Sequence, residues 1–377
     1  MRAAAVATAT VGILTAGTVL AGDGVLEINQ ACAVNTGCFS GDDAGFPVTI
    51  DGSAGTSYLL TSNLTVTASA HGISIQSSAS NVTLDLNGFA ITGPVTCSGL
   101  GSEVTCSPAN ISRGIEGTAA GRGLTVRNGT VTGFGFGGAS LGSRALAEDV
   151  YAYGNGGTGI SSNGPLIVRS CRAFANGGDG FALASGGVIA NSITESNSGN
   201  GIALQVSATA IANVVRDNGD AGISAGGHAV IRDNAVDQNE GDGINAAAGS
   251  TILNNTVRQG LANGIVASSS STISGNTVVG NTEDGIGCGT GCTVAGNTVE
   301  GNGTGGTGDG IEVDSGSQVY GNTVRNQPGL GLRGLNTVFG YRDNIFTENN
   351  GGNANLQVNS AGADLGGNIC GSPIDCP

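Results

Sequence analysis

The chain contains neither lysine nor tryptophan, and only two histidines and one methionine occur among its 377 residues. All 13 basic residues are therefore arginine, and 28 acidic residues give a formal net charge of −15. Because no basic stripe is present to displace the counterions of a phosphate backbone, nucleic acid is excluded as a partner. The acidic balance also argues against anionic membranes, and an aromatic content of 4% leaves few platforms for stacking a sugar ring.

Glycine is abundant, at 70 residues, and it is accompanied by many short and β-branched side chains. These residues destabilise helices and favour short strands joined by tight turns, so the composition predicts an all-β fold. Collagen would place glycine at every third position, and a disordered chain would contain fewer valines and isoleucines at a higher charge density. Neither alternative fits this sequence.

The glycines recur at a fixed spacing, which is typical of a repeat protein. Successive members lie 21 residues apart, except for one step of 25 residues, and each precedes an apolar residue that we expect to be buried beside a turn. The nine members are Gly159, Gly180, Gly201, Gly222, Gly243, Gly264, Gly285, Gly310 and Gly331. A repeat protein grows by stacking, so a chain of this length needs no division into two globular domains.

Three apolar columns follow the same register and predict three short strands per 21-residue coil, each turning one side chain inward. Two asparagine columns accompany them, one from Asn213 to Asn322 and the other from Asn155 to Asn302. An asparagine at a strand corner tolerates a left-handed turn and hydrogen-bonds the neighbouring coil. We therefore predict that these asparagines have a structural role and do not bind a ligand.

The segments Asn-Thr-Val, at 255–257, 276–278, 297–299 and 322–324, alternate with Asp-Gly-Ile or Asn-Gly-Ile. With these segments the chain resembles the right-handed parallel β-helix repeat family of the pectin-lyase-like superfamily. The resemblance implies a right-handed parallel β-helix solenoid, for which we expect eleven to twelve coils. Its members include lyases, hydrolases, epimerases, tailspikes and adhesins, so it implies no single activity. Leucine-rich repeats would require several leucines per repeat, which are missing here.

The ends of the chain predict export and capping. Residues 1–21 combine an early arginine, an apolar stretch and a Val-Leu-Ala end, as a secretory signal peptide does, and no later stretch is long and apolar enough to span a membrane. We expect a β-helix at 58–349 with caps at 22–57 and 350–377, since an open coil edge promotes aggregation. Residues 94–112 are expected to leave the stack as a disulfide-closed loop, which is the second choice for a binding site. The predicted location is secreted and extracellular, or the periplasm or cell surface.

Eight of the nine cysteines form close pairs in the sequence, as expected for small disulfide-closed loops in an oxidising compartment. Zinc is the alternative, but the pairs are far apart and histidine is nearly absent. The ninth, Cys171, falls in a repeat column and is predicted to be a buried thiol. The predicted disulfides are Cys32–Cys38, Cys97–Cys106, Cys288–Cys292 and Cys370–Cys376.

One acidic cluster is the candidate binding site. It lies beside the 25-residue step, whose four extra residues are expected to project from one face, as insertions that carry binding commonly do. The candidate residues are Asp284, Asp309, Glu312, Asp314 and Arg333. Carboxylates on adjacent coils can bind calcium, which makes Asp284, Asp309 and Glu312 the candidate ligands. The resemblance implies that an arginine beside them could act as the base of a uronate lyase. The alternative is ordinary turn chemistry, because Asp179, Asp242, Asp284 and Asp309 share one turn column.

The leading hypothesis is a secreted or surface scaffold that binds a polysaccharide or another extracellular partner without catalysis and without a cofactor. The alternative is a calcium-dependent polysaccharide lyase or a related glycan-active enzyme. The hydrolases implied by the resemblance would show paired aspartates with a histidine and an Arg-x-Lys segment, and this chain contains no lysine. Neither His71 nor His228 has the acidic neighbour that an epimerase would carry.

Overall fold

A computed structural model describes residues 24–53, 55–117, 122–336, 338–352, 354–359, 362–371 and 376. The predicted signal peptide at 1–21 lies outside these residues. Within them, the chain winds into a β-helix whose coils stack with their strands parallel and in register. The predicted all-β solenoid with three strands per coil is confirmed.

The first sheet contains the strands that follow the repeat glycines. It has thirteen strands, one more than the upper limit we expected, because its first strand, Val48–Ile50, lies in the segment 22–57 that was predicted as a cap. In order they are Val48–Ile50, Ile73–Ile75, Arg113–Gly117, Gly137–Leu141, Thr158–Ser162, Phe181–Leu183, Ile202–Leu204, Ile223–Ala225, Ile244–Ala246, Ile265–Ala267, Ile286–Cys288, Ile311–Val313 and Leu332–Gly334. At about 4.8 Å per coil the stack is about 60 Å long.

The second and third sheets complete each coil. Two long strands, Thr125–Thr132 and Ala145–Tyr153, belong to both and join them into one 27-stranded sheet. The other strands of the second sheet are Leu26–Ile28, Ser57–Leu60, Thr83–Asp85, Leu166–Arg169, Val188–Ala190, Thr209–Ile211, Val230–Arg232, Thr251–Leu253, Thr272–Ser274, Thr293–Ala295, Gln318–Tyr320, Gly340–Arg342 and Ala363–Asp364. Those of the third are Leu64–Thr65, Ala90–Thr92, Arg172–Phe174, Ile193–Glu195, Val214–Arg216, Ala235–Asp237, Thr256–Arg258, Thr277–Val279, Thr298–Glu300, Thr323–Arg325, Ile345–Thr347 and Ile369–Cys370.

The core is a stack of inward side chains, with two from each short strand of the first sheet and one, at the centre, from each short strand of the second and third sheets. In one coil they are Ile223, Ala225, Ile231 and Val236, which are 0%, 8%, 0% and 1% exposed. Apolar burial stabilises such a stack by about 25 cal/mol per Å². Each coil covers its neighbour's apolar edge, so the fold is stable only as an array.

The repeat glycines are required for close approach between coils and not for a turn. A Cβ atom on Gly264 would lie 2.6 Å from the carbonyl oxygen of Gly285 on the next coil and would also collide with Val278. None of the repeat glycines is among the residues with positive φ. Glycine is therefore required at these positions by close packing and not by a left-handed conformation.

The two asparagine columns form buried ladders at two corners of the coil. The Oδ1 atom of Asn255 accepts the backbone N–H and the side-chain amide of Asn234 at 3.0 and 2.9 Å, and the Asn255 amide donates to the Ile231 carbonyl at 3.0 Å. The left-handed conformation belongs to the preceding residue, Asn254, with φ 54°. The ladders are confirmed, whereas the left-handed conformation proposed for their asparagines is not.

Local elements lie at the ends and in one excursion. The helix Gln30–Asn35 begins at Asn29, whose side chain caps the Cys32 N–H. The excursion at 94–112 contains the antiparallel strands Thr96–Ser98 and Thr105–Ser107 with a 3₁₀ turn at Gly101–Glu103. Strand pairing begins at Leu26–Ile28 and continues to Ile369–Cys370, so the sheets extend into both segments predicted as caps.

All four predicted disulfides are present, and Cys171 is a buried free thiol. Burial raises the pKa of the Cys171 thiol to about 12, so this group is no nucleophile at neutral pH. Disulfides form and persist in oxidising compartments, which places the protein outside the cytoplasm. None of the helices in the described part of the chain is long and apolar enough to cross a membrane.

Candidate functional site

A third ladder positions the acidic residues of the candidate site. It lies where the chain enters the first sheet, one residue before each repeat glycine. Asp284 Oδ1 accepts the backbone N–H of Asp309 at 2.7 Å, and Asp309 Oδ1 accepts that of Leu330 at 2.6 Å. The carboxylates therefore bond the next coil instead of their own turn, and the column is a ladder rather than a series of local turns.

The first sheet has a gap in its outer surface at Gly287. In the register of the sheet, Val266, Gly287, Glu312 and Arg333 are neighbours that face outward. Because Gly287 has no side chain, a groove of about 280 Å³ opens between Val266 and Glu312. Its lining residues are Asn263, Val266, Ala267, Asp284, Gly287, Cys288, Gly289, Glu312, Asp314 and Leu335.

Two carboxylates in this groove have raised pKa values. Burial raises the pKa of Asp284. The hydrogen bond from the Asp309 N–H and the charge of Arg333 oppose this shift, whereas the charges of Asp309 and Glu283 add to it. Burial also raises the pKa of Glu312, reinforced by the charge of Asp284 and opposed by Arg333. The groove thus holds two half-buried acceptors whose desolvation is only partly compensated.

The other predicted residues already have partners within the protein. Asp309 is 5% exposed and its second carboxylate oxygen accepts from Arg333 at 3.3 Å, while Arg333 Nε lies 3.8 Å from Glu312. That bond with Asp309 raises the pKa of Arg333. Asp314 accepts the amide of Asn336 at 2.7 Å, which lowers its pKa. The structure therefore brings Asp284, Glu312 and Asp314 to one groove and leaves Asp309 in the ladder.

The predicted calcium site is not formed by side chains alone. Among the described residues, no group of three or more histidine, cysteine, aspartate or glutamate residues is placed to hold a metal ion. Asp309, one of the three expected ligands, already uses both oxygens in hydrogen bonds within the protein. The insertion does lie where expected, since residues 304–307 are exposed beside the Asp284 corner and Gly305 donates to the Thr282 carbonyl at 3.0 Å.

The sequence reasoning missed the residues that create the groove. Gly287 occupies a column in which the preceding coils carry Asn245 and Val266, so the missing side chain was visible in the 21-residue register. Leu335 lies 21 residues after Asp314, in the same column, so its place beside the groove was visible in the register as well.

The excursion at 94–112, our second choice for a site, lies along the corner between the third and first sheets. Gly101 donates to the Ser196 carbonyl at 3.1 Å, and the Ser102 N–H donates to Glu240 at 3.2 Å. A cavity of about 170 Å³ lies under its base, where the Nδ2 atom of Asn110 is buried without a hydrogen-bond partner among the described residues. The excursion therefore spans several coils and covers part of one asparagine ladder.

Comparison with protein families matches residues 48–229 and 206–303 to the right-handed β-helix region. The chain belongs to this family. No curated protein sequence matches it. Among solved structures, a Siphovirus 9NA tailspike receptor binding domain is similar to the β-helix with a TM-score of 0.50 and 11% identity, over 93% of this chain and 78% of that chain.

Two further similar structures are carbohydrate-active enzymes. The A-module of the Azotobacter vinelandii mannuronan C-5 epimerase AlgE4 has a TM-score of 0.43 and 14% identity, over 85% of this chain and 90% of that chain. The catalytic unit of a GH87 alpha-1,3-glucanase from Streptomyces thermodiastaticus has a TM-score of 0.40 and 14% identity, over 93% and 64%. At these identities the β-helix likeness concerns the fold alone.

Proposed function

We propose that this β-helix is an extracytoplasmic scaffold that binds a polysaccharide in the Gly287 groove without catalysing a reaction. The observation that carries the proposal is the pair Asp284 and Glu312, half-buried at the gap that Gly287 leaves. Among the described residues, the Asp284 carboxylate accepts only one hydrogen bond, from Asp309. Sugar hydroxyls are donors that match such unsatisfied carboxylate oxygens, and Val266 and Leu335 offer apolar contact to a ring face.

The charge of the groove selects among glycans. Asp284, Glu312 and Asp314 all line it, and the whole chain carries a net charge of −15. A polyuronate would place further carboxylates against these groups, which is unfavourable at separations of a few ångströms. We therefore expect neutral or amino-bearing polysaccharides to bind better than uronates.

The test is an array of neutral, amino-bearing and uronate glycans, followed by calorimetry on those that bind. Gly287→Val fills the gap with the side chain found on the preceding coil and is expected to weaken binding at least tenfold, as is Glu312→Gln. Glu300→Gln is the matched control, because Glu300 pairs with Arg325 in the third sheet. Binding of no glycan in the array, or normal binding by Gly287→Val, would contradict the proposal.

A glycan-active enzyme is the second candidate, favoured by the raised pKa values of Asp284 and Glu312, since acid catalysts are tuned in this way. A lyase with Arg333 as base is disfavoured, because the pKa of that guanidinium is raised by Asp309. Incubation with pectate and alginate plus Ca²⁺, read as absorbance of unsaturated product, tests the lyase. Release of reducing ends from neutral glucans tests hydrolysis.

A further inference from the structure

Two arginines differ from all the others described. Ten of the twelve arginines in the described residues lie within 4.0 Å of a carboxylate. Arg122 and Arg144 have no such partner within the described residues. In a chain with 28 acidic residues, such isolation is unusual, and these two arginines line the same depression.

The depression lies at the corner between the first and second sheets. The pairings of Thr83, Thr125 and Leu146 place Asn81, Gly123 and Arg144 at the same position of three successive coils, with φ 54°, 80° and 57°. Arg122 directly precedes Gly123. A Cβ atom at Gly123 would lie 2.6 Å from Asn81 Oδ1, so glycine leaves an opening between the two arginines.

The opening has a volume of about 640 Å³ and is lined by Ser80, Asn81, Arg122, Gly123 and Arg144. Both arginines are exposed, and each guanidinium presents a planar fork of donors that fits an oxyanion in two places at once.

The electrostatics of the corner also favour an anion. On the third sheet, charges of opposite sign alternate between coils, with Arg216 3.0 Å from Glu195 and Arg258 3.1 Å from Asp237. At the depression, two positive charges occupy adjacent coils, about 5 Å apart along the stack, and no acidic residue is among the described residues that line it. An anion bound between them removes this repulsion.

We propose that Arg122 and Arg144 form a binding site for a single oxyanion group, either a carboxylate or a sulfate. The site is independent of the Gly287 groove, since the strands concerned lie seven coils apart in the first sheet, about 34 Å at the usual spacing. An isolated anionic group fits the site better than a polyanion, because the remainder of the chain is acidic.

The experiment uses calorimetric titration of the folded protein with sodium sulfate, with galacturonic acid and with neutral galactose, at constant ionic strength. Wild-type protein is expected to bind at least one of the two anions saturably, and galactose not at all. Arg122→Gln combined with Arg144→Asn is expected to weaken that binding at least tenfold, and asparagine is compatible with the left-handed conformation at position 144.

The matched control is Arg216→Gln with Arg258→Gln, which changes the net charge equally and is expected to bind as the wild type does. Preference for galacturonic acid identifies a carboxylate carried on a sugar, and equal or stronger binding of sulfate identifies a general oxyanion site. Absence of saturable anion binding overturns the proposal, as does equal loss in the control. Because none of these variants touches the groove, the outcome is separable from that of the glycan array.

Discussion

Removal of one rung from a buried asparagine ladder gives the sharpest test of how this fold is held together. Asn255→Ala deletes an acceptor that takes the Asn234 backbone N–H and side-chain amide, and a donor to Ile231 and Asn276. The Asn234 backbone N–H then lies in the core without this partner. An unsatisfied buried donor costs about 1–3 kcal/mol, and each lost hydrogen bond about 1 kcal/mol more. Four hydrogen bonds are lost, one of which leaves the buried donor, so we expect the free energy of unfolding to fall by about 4–6 kcal/mol.

The neighbouring residue supplies a matched control. Asn254 is exposed, has no side-chain hydrogen bond among the described residues, and adopts φ 54°. Asn254→Gly changes the same residue type in the same turn, and glycine accepts this conformation, so we expect a change within about 0.5 kcal/mol. The assay is urea unfolding followed by far-UV circular dichroism. If Asn255→Ala costs no more than Asn254→Gly, the ladder does not contribute as argued.

Three further predictions concern other parts of the molecule. Gly264→Ala forces a methyl group against the Gly285 carbonyl and should destabilise the folded protein by about 1–3 kcal/mol. Gly287→Ala should cost far less in the same unfolding assay, and equal costs would contradict the close-approach argument. Cys171, with a pKa near 12, should resist alkylation at pH 9 in native protein and react only after unfolding, which mass spectrometry detects; labelling of the native thiol would show that it is accessible. Burial raises the pKa of Asp284 in the folded state above its ordinary value of 3.8. The stability that this shift contributes is complete below pH 3.8 and is lost as the pH rises through the folded-state pKa. Asp284→Asn should therefore raise the unfolding midpoint at pH 7 and change it little near pH 3; a lower midpoint at pH 7 would refute this.

Much of the architecture was predictable from the sequence because each coil repeats the same local pattern of buried, corner and outward residues. An inward side chain such as Ile223 recurs at the coil's period, and so does the ladder asparagine, so the register alone predicts strands, ladders and core. Cysteines close in sequence pair locally, which explains why all four disulfides were predicted correctly. Residues that interact along the 21-residue register are therefore determined by the sequence itself.

The tertiary structure decided what happens between coils and outside the register. The distance between stacked backbones determines how closely Gly264 approaches Gly285. It also determines the hydrogen bond from the Leu330 N–H that holds Asp309 in a ladder. The opening between Arg122 and Arg144 depends on the missing side chain of Gly123, whose Cβ atom would lie 2.6 Å from Asn81 Oδ1 on the preceding coil. Periodicity specifies which residues share a column, whereas the depth of a groove and the partner of a charge depend on three-dimensional packing.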